Sequence, residues 1–118
     1  PIQLQAGTVD RLVPPDRVLD LYTKYLTNGT TKEYLAITGG NHLGFIDEKY
    51  ASFGQRWGID NPPSINVEQQ HNISRIYFTA WFQYHLRQLD EYYTYIFGEE
   101  ALQDLDDGIL ADLRYNIP

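Results

Sequence analysis

The chain has 118 residues, 42% hydrophobic and 21% charged, which are the values of a globular domain and not of a disordered segment. Its net charge of −7 argues against a general nucleic-acid surface, which needs clustered Lys and Arg. The absence of cysteine removes disulfides, thiolate metal sites and a cysteine nucleophile, and no apolar run approaches the ~20 residues of a membrane span.

The opening segment, Ile2-Gln-Leu-Gln-Ala6, alternates apolar and polar residues as a strand does, and Gly7 stops it. Pro14-Pro15 then set up a helix start, because proline loses no needed hydrogen bond in the first turn. Val18, Leu21, Tyr22 and Tyr25 form one helical stripe, which predicts a helix across Pro15–Leu26, closed by Asn28-Gly29. A second strand is expected at Glu33 to Ile37, ending in Gly39-Gly40. The whole reads as a strand–helix–strand unit with parallel strands.

A short helix is expected within Ile46 to Phe53. Residues 54–66 carry two glycines, two adjacent prolines and a serine, and read as a loop. Asn72 is then expected to cap the longest helix, Ile73 to about Gln88, with Ile73, Ile76, Tyr77, Ala80, Trp81 and Tyr84 on one face. A helical tail should follow at Tyr92 to Phe97, then acidic turns and a short helix at Ile109 to Leu113. Two strands cannot make a stable sheet alone, so further strands are expected from other polypeptide.

Two residues stand where chemistry is done in folds of this kind. Asp10 lies three residues after Gly7, at the end of the first strand. His42 lies two residues after Gly40, at the end of the second. In a parallel sheet both loops leave from the same edge, where open α/β folds bind ligands. A histidine suits a general base near neutral pH, and a carboxylate can hold its tautomer. Separately, Asp10 reads as a loop or cap aspartate and His42 as a structural loop histidine; placed together, they point to catalysis. Asp16 reads as a helix-start acid and Asp47 as a surface residue or a cap. His71 and His85 have no carboxylate cluster at metal spacing, so no metal and no cofactor is expected. Tyr77, Trp81 and Tyr84 are read as core, and Leu43 and Phe45 as the side chains lining a pocket beside His42.

Gly7-x-x-Asp10-x-x-Val13-Pro14, with Gly39-x-x-His42-x-x-Phe45 downstream, resembles the acid and histidine loops of α/β-hydrolases, in the dienelactone-hydrolase-like and cutinase-like esterase branch. The stretch Ser74 to Leu105, with Trp81-Phe-x-Tyr-x-Leu86 and Tyr92-x-x-Tyr95-Ile-Phe97, resembles that branch's final helix and tail. The resemblance implies the C-terminal part of a single α/β-hydrolase domain across residues 1–118, with Asp10 and His42 as acid and base and a small ester as substrate. It also implies a serine upstream of both. The Gly-x-Ser-x-Gly elbow is absent, and Ser52, Ser64 and Ser74 lack the sharp strand-to-helix turn that exposes a nucleophile.

The nucleophile is therefore expected on the remaining N-terminal part of the hydrolase or on a second chain, and the isolated chain is expected to be inactive. Pro1 enters directly on a strand, as the interior of a longer protein would. Neither nucleic acid nor membrane is expected as a partner. A soluble protein is expected, cytoplasmic in preference to secreted, although Asn28 and Asn72 lie in glycosylation sequons. Two other readings stay open: a hydrolase-derived binding module that has lost the reaction, and a structural protein whose loops only resemble a triad. A Gly-x-Ser-x-Gly upstream would favour the esterase; an alanine or glycine at the serine position would favour the binding module.

Overall fold

A computed structural model describes residues 1–118. β1 (Ile2–Gly7) and β2 (Lys32–Ile37) pair in parallel, with Leu4 opposite Tyr34 and Ala6 opposite Ala36. They are joined by α1 (Pro15–Asp20), which continues as one wider π-type turn over Leu21–Tyr25. The proline start and the helical span are as the sequence predicts, but the apolar stripe is not: Val18, Leu19 and Tyr22 pack inward, while Leu21 and Tyr25 are exposed where the wider turn rotates them out. Lys32, though buried, is matched to the end of this connection. Its ammonium donates to the carbonyls of Tyr22 (2.6 Å) and Leu26 (2.7 Å) and lies 4.5 Å from the Tyr22 ring centroid.

The sheet has a third strand, which corrects two expectations. β3 (Leu110–Asn116) runs antiparallel to β2 on the side away from β1, giving the order β1-β2-β3. The predicted short helix at Ile109–Leu113 is therefore strand. One of the strands assigned to other polypeptide is supplied by the chain itself. The cause of the misreading is a bulge. Leu113 pairs with Leu35 and Leu110 with Ile37, with a register shift between Ala36 and Ile37. The extra residue places Leu110 and Leu113 on one face although they are three apart, which imitates helical spacing.

Helices cover both faces of the sheet. Leu4, Ala6, Tyr34 and Ala36 pack on Val18, Leu19 and Tyr22 of the α1 connection. Leu35, Ile37, Leu110 and Leu113 pack on Tyr77 of α3 (Val67–Arg87) and Ala101 of α4 (Glu99–Asp106). Covered on both faces and paired on both edges, β2 is buried along its whole length. The product is a small mixed α/β domain.

Three further boundaries differ from expectation. α3 begins at Val67, six residues before the expected Ile73. Asn66, not Asn72, caps it, in a box where the Asn66 side chain accepts from Gln69 N–H and the Gln69 side chain accepts from Asn66 N–H. The polar run Glu68 to Asn72 hid that first turn from an apolar-periodicity reading. The segment expected as a helix at Tyr92–Phe97 is a 3-10 turn at Asp90–Tyr95, with buried Ile96 behind it. The acidic run expected as turns forms α4, whose Ala101 and Leu105 reach the core. α2 (Glu48–Arg56) also departs from expectation, since, capped by Asp47, it starts two residues after Ile46 and runs three past Phe53 into the stretch expected as a loop.

Candidate active site

Because β1 and β2 are parallel neighbours, the loops that follow them leave the sheet side by side. Gly7 makes this approach possible, since a Cβ there would overlap the Gly40 carbonyl. The two backbones are stitched together at once. Val9 N–H donates to Gly40 O (3.0 Å), and Gly39 N–H donates to the Thr8 hydroxyl (2.8 Å). Gly39 itself has φ of 74°, a left-handed turn that turns the chain out of β2.

This junction brings Asp10 and His42 together. The His42 Nδ1–H donates to Asp10 Oδ2 at 3.0 Å; a carboxylate offers only acceptors, so Nδ1 carries the proton. The second Asp10 oxygen accepts Val13 N–H at 2.8 Å, which fixes the carboxylate plane. The Asp10 side chain is 4% exposed, whereas the His42 side chain is 42% exposed. Nε2 has no hydrogen-bond partner in the chain. The arrangement is a shielded acid, an oriented imidazole and a free ring nitrogen at the surface. Chemically it can take a proton at Nε2 and stabilise the resulting imidazolium.

The loops are held in place by three buried polar residues that periodicity does not reveal. Asp60 accepts Arg11 N–H (2.9 Å) and Asn61 N–H (2.8 Å) on Oδ1, and Leu43 N–H (3.1 Å) on Oδ2. Burial pushes its carboxyl up, but the N–H groups of Arg11, Leu43, Asn61 and His42 outweigh that and hold it below the ordinary aspartate value. The Asn41 side chain accepts Gly44 N–H (2.8 Å) and donates to Asn61 O (2.9 Å). Gln70, from α3, pairs with the Asn41 backbone as a strand would, accepting its N–H (3.1 Å) and donating to its carbonyl (2.8 Å). The one sequence signal for Asp60 is its place in Asp60-Asn-Pro-Pro63, a turn-type run between two helices.

The other candidates are placed as follows. Leu43 is buried with its side chain against Gly54 of α2, and Phe45 is half-buried at the margin of the core around Leu35, Ile37 and Tyr77. Phe45 also borders a surface cavity with His71, Ser74 and Arg75. Ser52 lies in α2, Ser64 in the loop before α3, and Ser74 inside α3 with its hydroxyl donating to Gln5 Oε1. None is hydrogen-bonded to His42. The His71 ring bonds to Ile46 O, and the half-buried His85 ring lies 4.1 Å from that of Trp81. No three His, Cys, Asp or Glu side chains converge in a way that could hold a metal ion. No helix is long and apolar enough to cross a membrane. No family model and no curated protein matches the chain.

Proposed function

We propose that the chain supplies the acid and the base of a serine-type carboxylic-ester hydrolase, as the C-terminal part of an α/β-hydrolase domain. The observation that carries this reading is the 3.0 Å bond between Asp10 and His42, made from the C-terminal ends of adjacent parallel strands with Nε2 left free. A serine hydroxyl placed at Nε2 would lose its proton to His42 as its oxygen forms a bond to the ester carbonyl carbon. Asp10 would steady the imidazolium. The same proton would pass to the departing alkoxide as the acyl–oxygen bond breaks, leaving an acyl-serine. Water, deprotonated in turn by His42, would attack the acyl carbon, and His42 would return that proton to the serine oxygen as its bond to the acyl group breaks, releasing the acid. Of the two apolar residues after His42, Phe45 keeps a surface available to an acyl or alcohol group; Leu43 would hold the turn on α2.

The serine and the oxyanion donors would come from polypeptide outside this sequence, and the open edge of β1 is where it would add. Ile2 N–H donates to Thr31 O and Thr8 N–H to Ile37 O, so the alternation of a parallel ladder turns the backbone groups of Gln3 and Gln5 outward. Ser74 O accepts from the Gln5 side chain and Tyr77 O from that of Gln3. On α3, the rings of Phe78 and Phe82 stack 6.0 Å apart and the two residues are 42% and 51% exposed, an apolar surface that further polypeptide could cover.

The test is turnover of a small activated ester by the complete polypeptide or assembly that contains this chain. His42→Ala should lower kcat/KM by about 10⁴-fold and Asp10→Asn by a comparable factor, with the fold retained. Wild-type turnover in His42→Ala would remove the assignment.

A further inference from the structure

The Asp60 carboxylate is the one group that touches both catalytic loops without belonging to either. It is 4% exposed and has no Lys, Arg or His partner within ion-pair distance, so its charge is met by backbone N–H dipoles. Those dipoles come from opposite sides. Arg11 N–H follows the acid directly, and Leu43 N–H follows the base directly.

We infer that Asp60 is a positioning residue that latches the residue after Asp10 to the residue after His42, and so sets the separation at which His42 Nδ1 meets Asp10. The inference rests on reading Asp10 and His42 as a working pair, and on nothing about the substrate. Both Asp60 oxygens face donors: Oδ1 takes Arg11 and Asn61, Oδ2 takes Leu43. Asparagine cannot replace it, because in either orientation its NH₂ must point at an N–H already directed there. One latch bond becomes a donor–donor clash, which costs more than the bond it replaces. The loops must then part, although Asp10 and His42 are both unchanged. Asn61 extends the latch, since its side chain donates to Val9 O at 3.0 Å.

The experiment is nitrogen-15 NMR of the full chain, reading the tautomer of His42 above its own titration together with amide exchange. In the wild type, His42 should be held in the Nδ1–H form, and Asp10→Asn should return it to the mixture of a free imidazole. Asp60→Asn should do the same while the amide spectrum stays dispersed. The Arg11 and Leu43 amides should exchange on the order of tenfold or more slower than that of exposed Leu12. A wild-type His42 indifferent to Asp10→Asn would sink the pair itself. A fixed tautomer lost in Asp10→Asn but kept in Asp60→Asn would overturn the latch alone. Should Asp60→Asn not fold, the wild-type amides decide: protection of both supports the latch, and fast exchange of both beside a fixed tautomer overturns it.

Discussion

Glu33 is fully buried on β2, facing α3, with one carboxyl oxygen bonded to the Gln3 amide and the other without a partner. Burial pushes its carboxyl up to about 8 from 4.5, against the opposing effect of the Gln3 bond. The folded chain therefore holds a proton there that the unfolded chain releases. The stability this contributes is complete below pH 4.5 and is lost as pH rises through about 8. Urea unfolding should show stability falling by up to about 1.4 kcal/mol per pH unit across that window. Glu33→Gln should flatten the decline and be the more stable protein at pH 9. Parallel wild-type and variant curves would show that Glu33 ionises without cost.

Residue types with strong local signatures were readable before the fold was known. Asp10 and His42 stand just past glycines at strand ends, and that punctuation located the pair. Asp60 was not readable, because its partners are main-chain N–H groups at positions 11 and 43, which no side-chain pattern marks. Gln70 escaped for the same reason: a buried glutamine on a polar first turn has no periodicity to betray it.

Elements differ in how far local sequence determines them. The α1 connection was legible in its proline start and its span, but not in its buried face, since Leu21 and Tyr25 are exposed and Leu19 packs in their place. α3 was legible in its middle, where Tyr77, Ala80 and Trp81 are buried, but not at its start. Asn66→Ala should remove both arms of the capping box and cost about 1 kcal/mol in urea unfolding, whereas Asn72→Ala, inside the helix and exposed, should cost clearly less. The reverse order would return the helix start to Ile73. β3 was not legible at all. Its identity depends on the open side of β2 needing hydrogen bonds and on a bulge that disguises its period, both of which are tertiary facts.

For the whole molecule, the third strand means that the chain pairs both sides of β2 and leaves β1 and β3 as the edge strands of the sheet. Layering around β2 is finished, whereas the outer edge of β1 has no partner strand within the chain. An edge of that kind favours a further strand. Its position also matters to chemistry, because a strand added beside β1 would deliver its own C-terminal loop to the edge of the sheet where Asp10 and His42 meet. On the proposed hydrolase reading, fold and site make the same demand on further polypeptide: more sheet, and a nucleophile at the end of it.

That demand is tested most directly by treating the assembly that contains this chain with a fluorophosphonate and locating the adduct by peptide mass spectrometry. The account predicts one modified serine, outside residues 1–118, whose labelling is abolished by His42→Ala. An adduct on Ser52, Ser64 or Ser74, or labelling undiminished in His42→Ala, would contradict it.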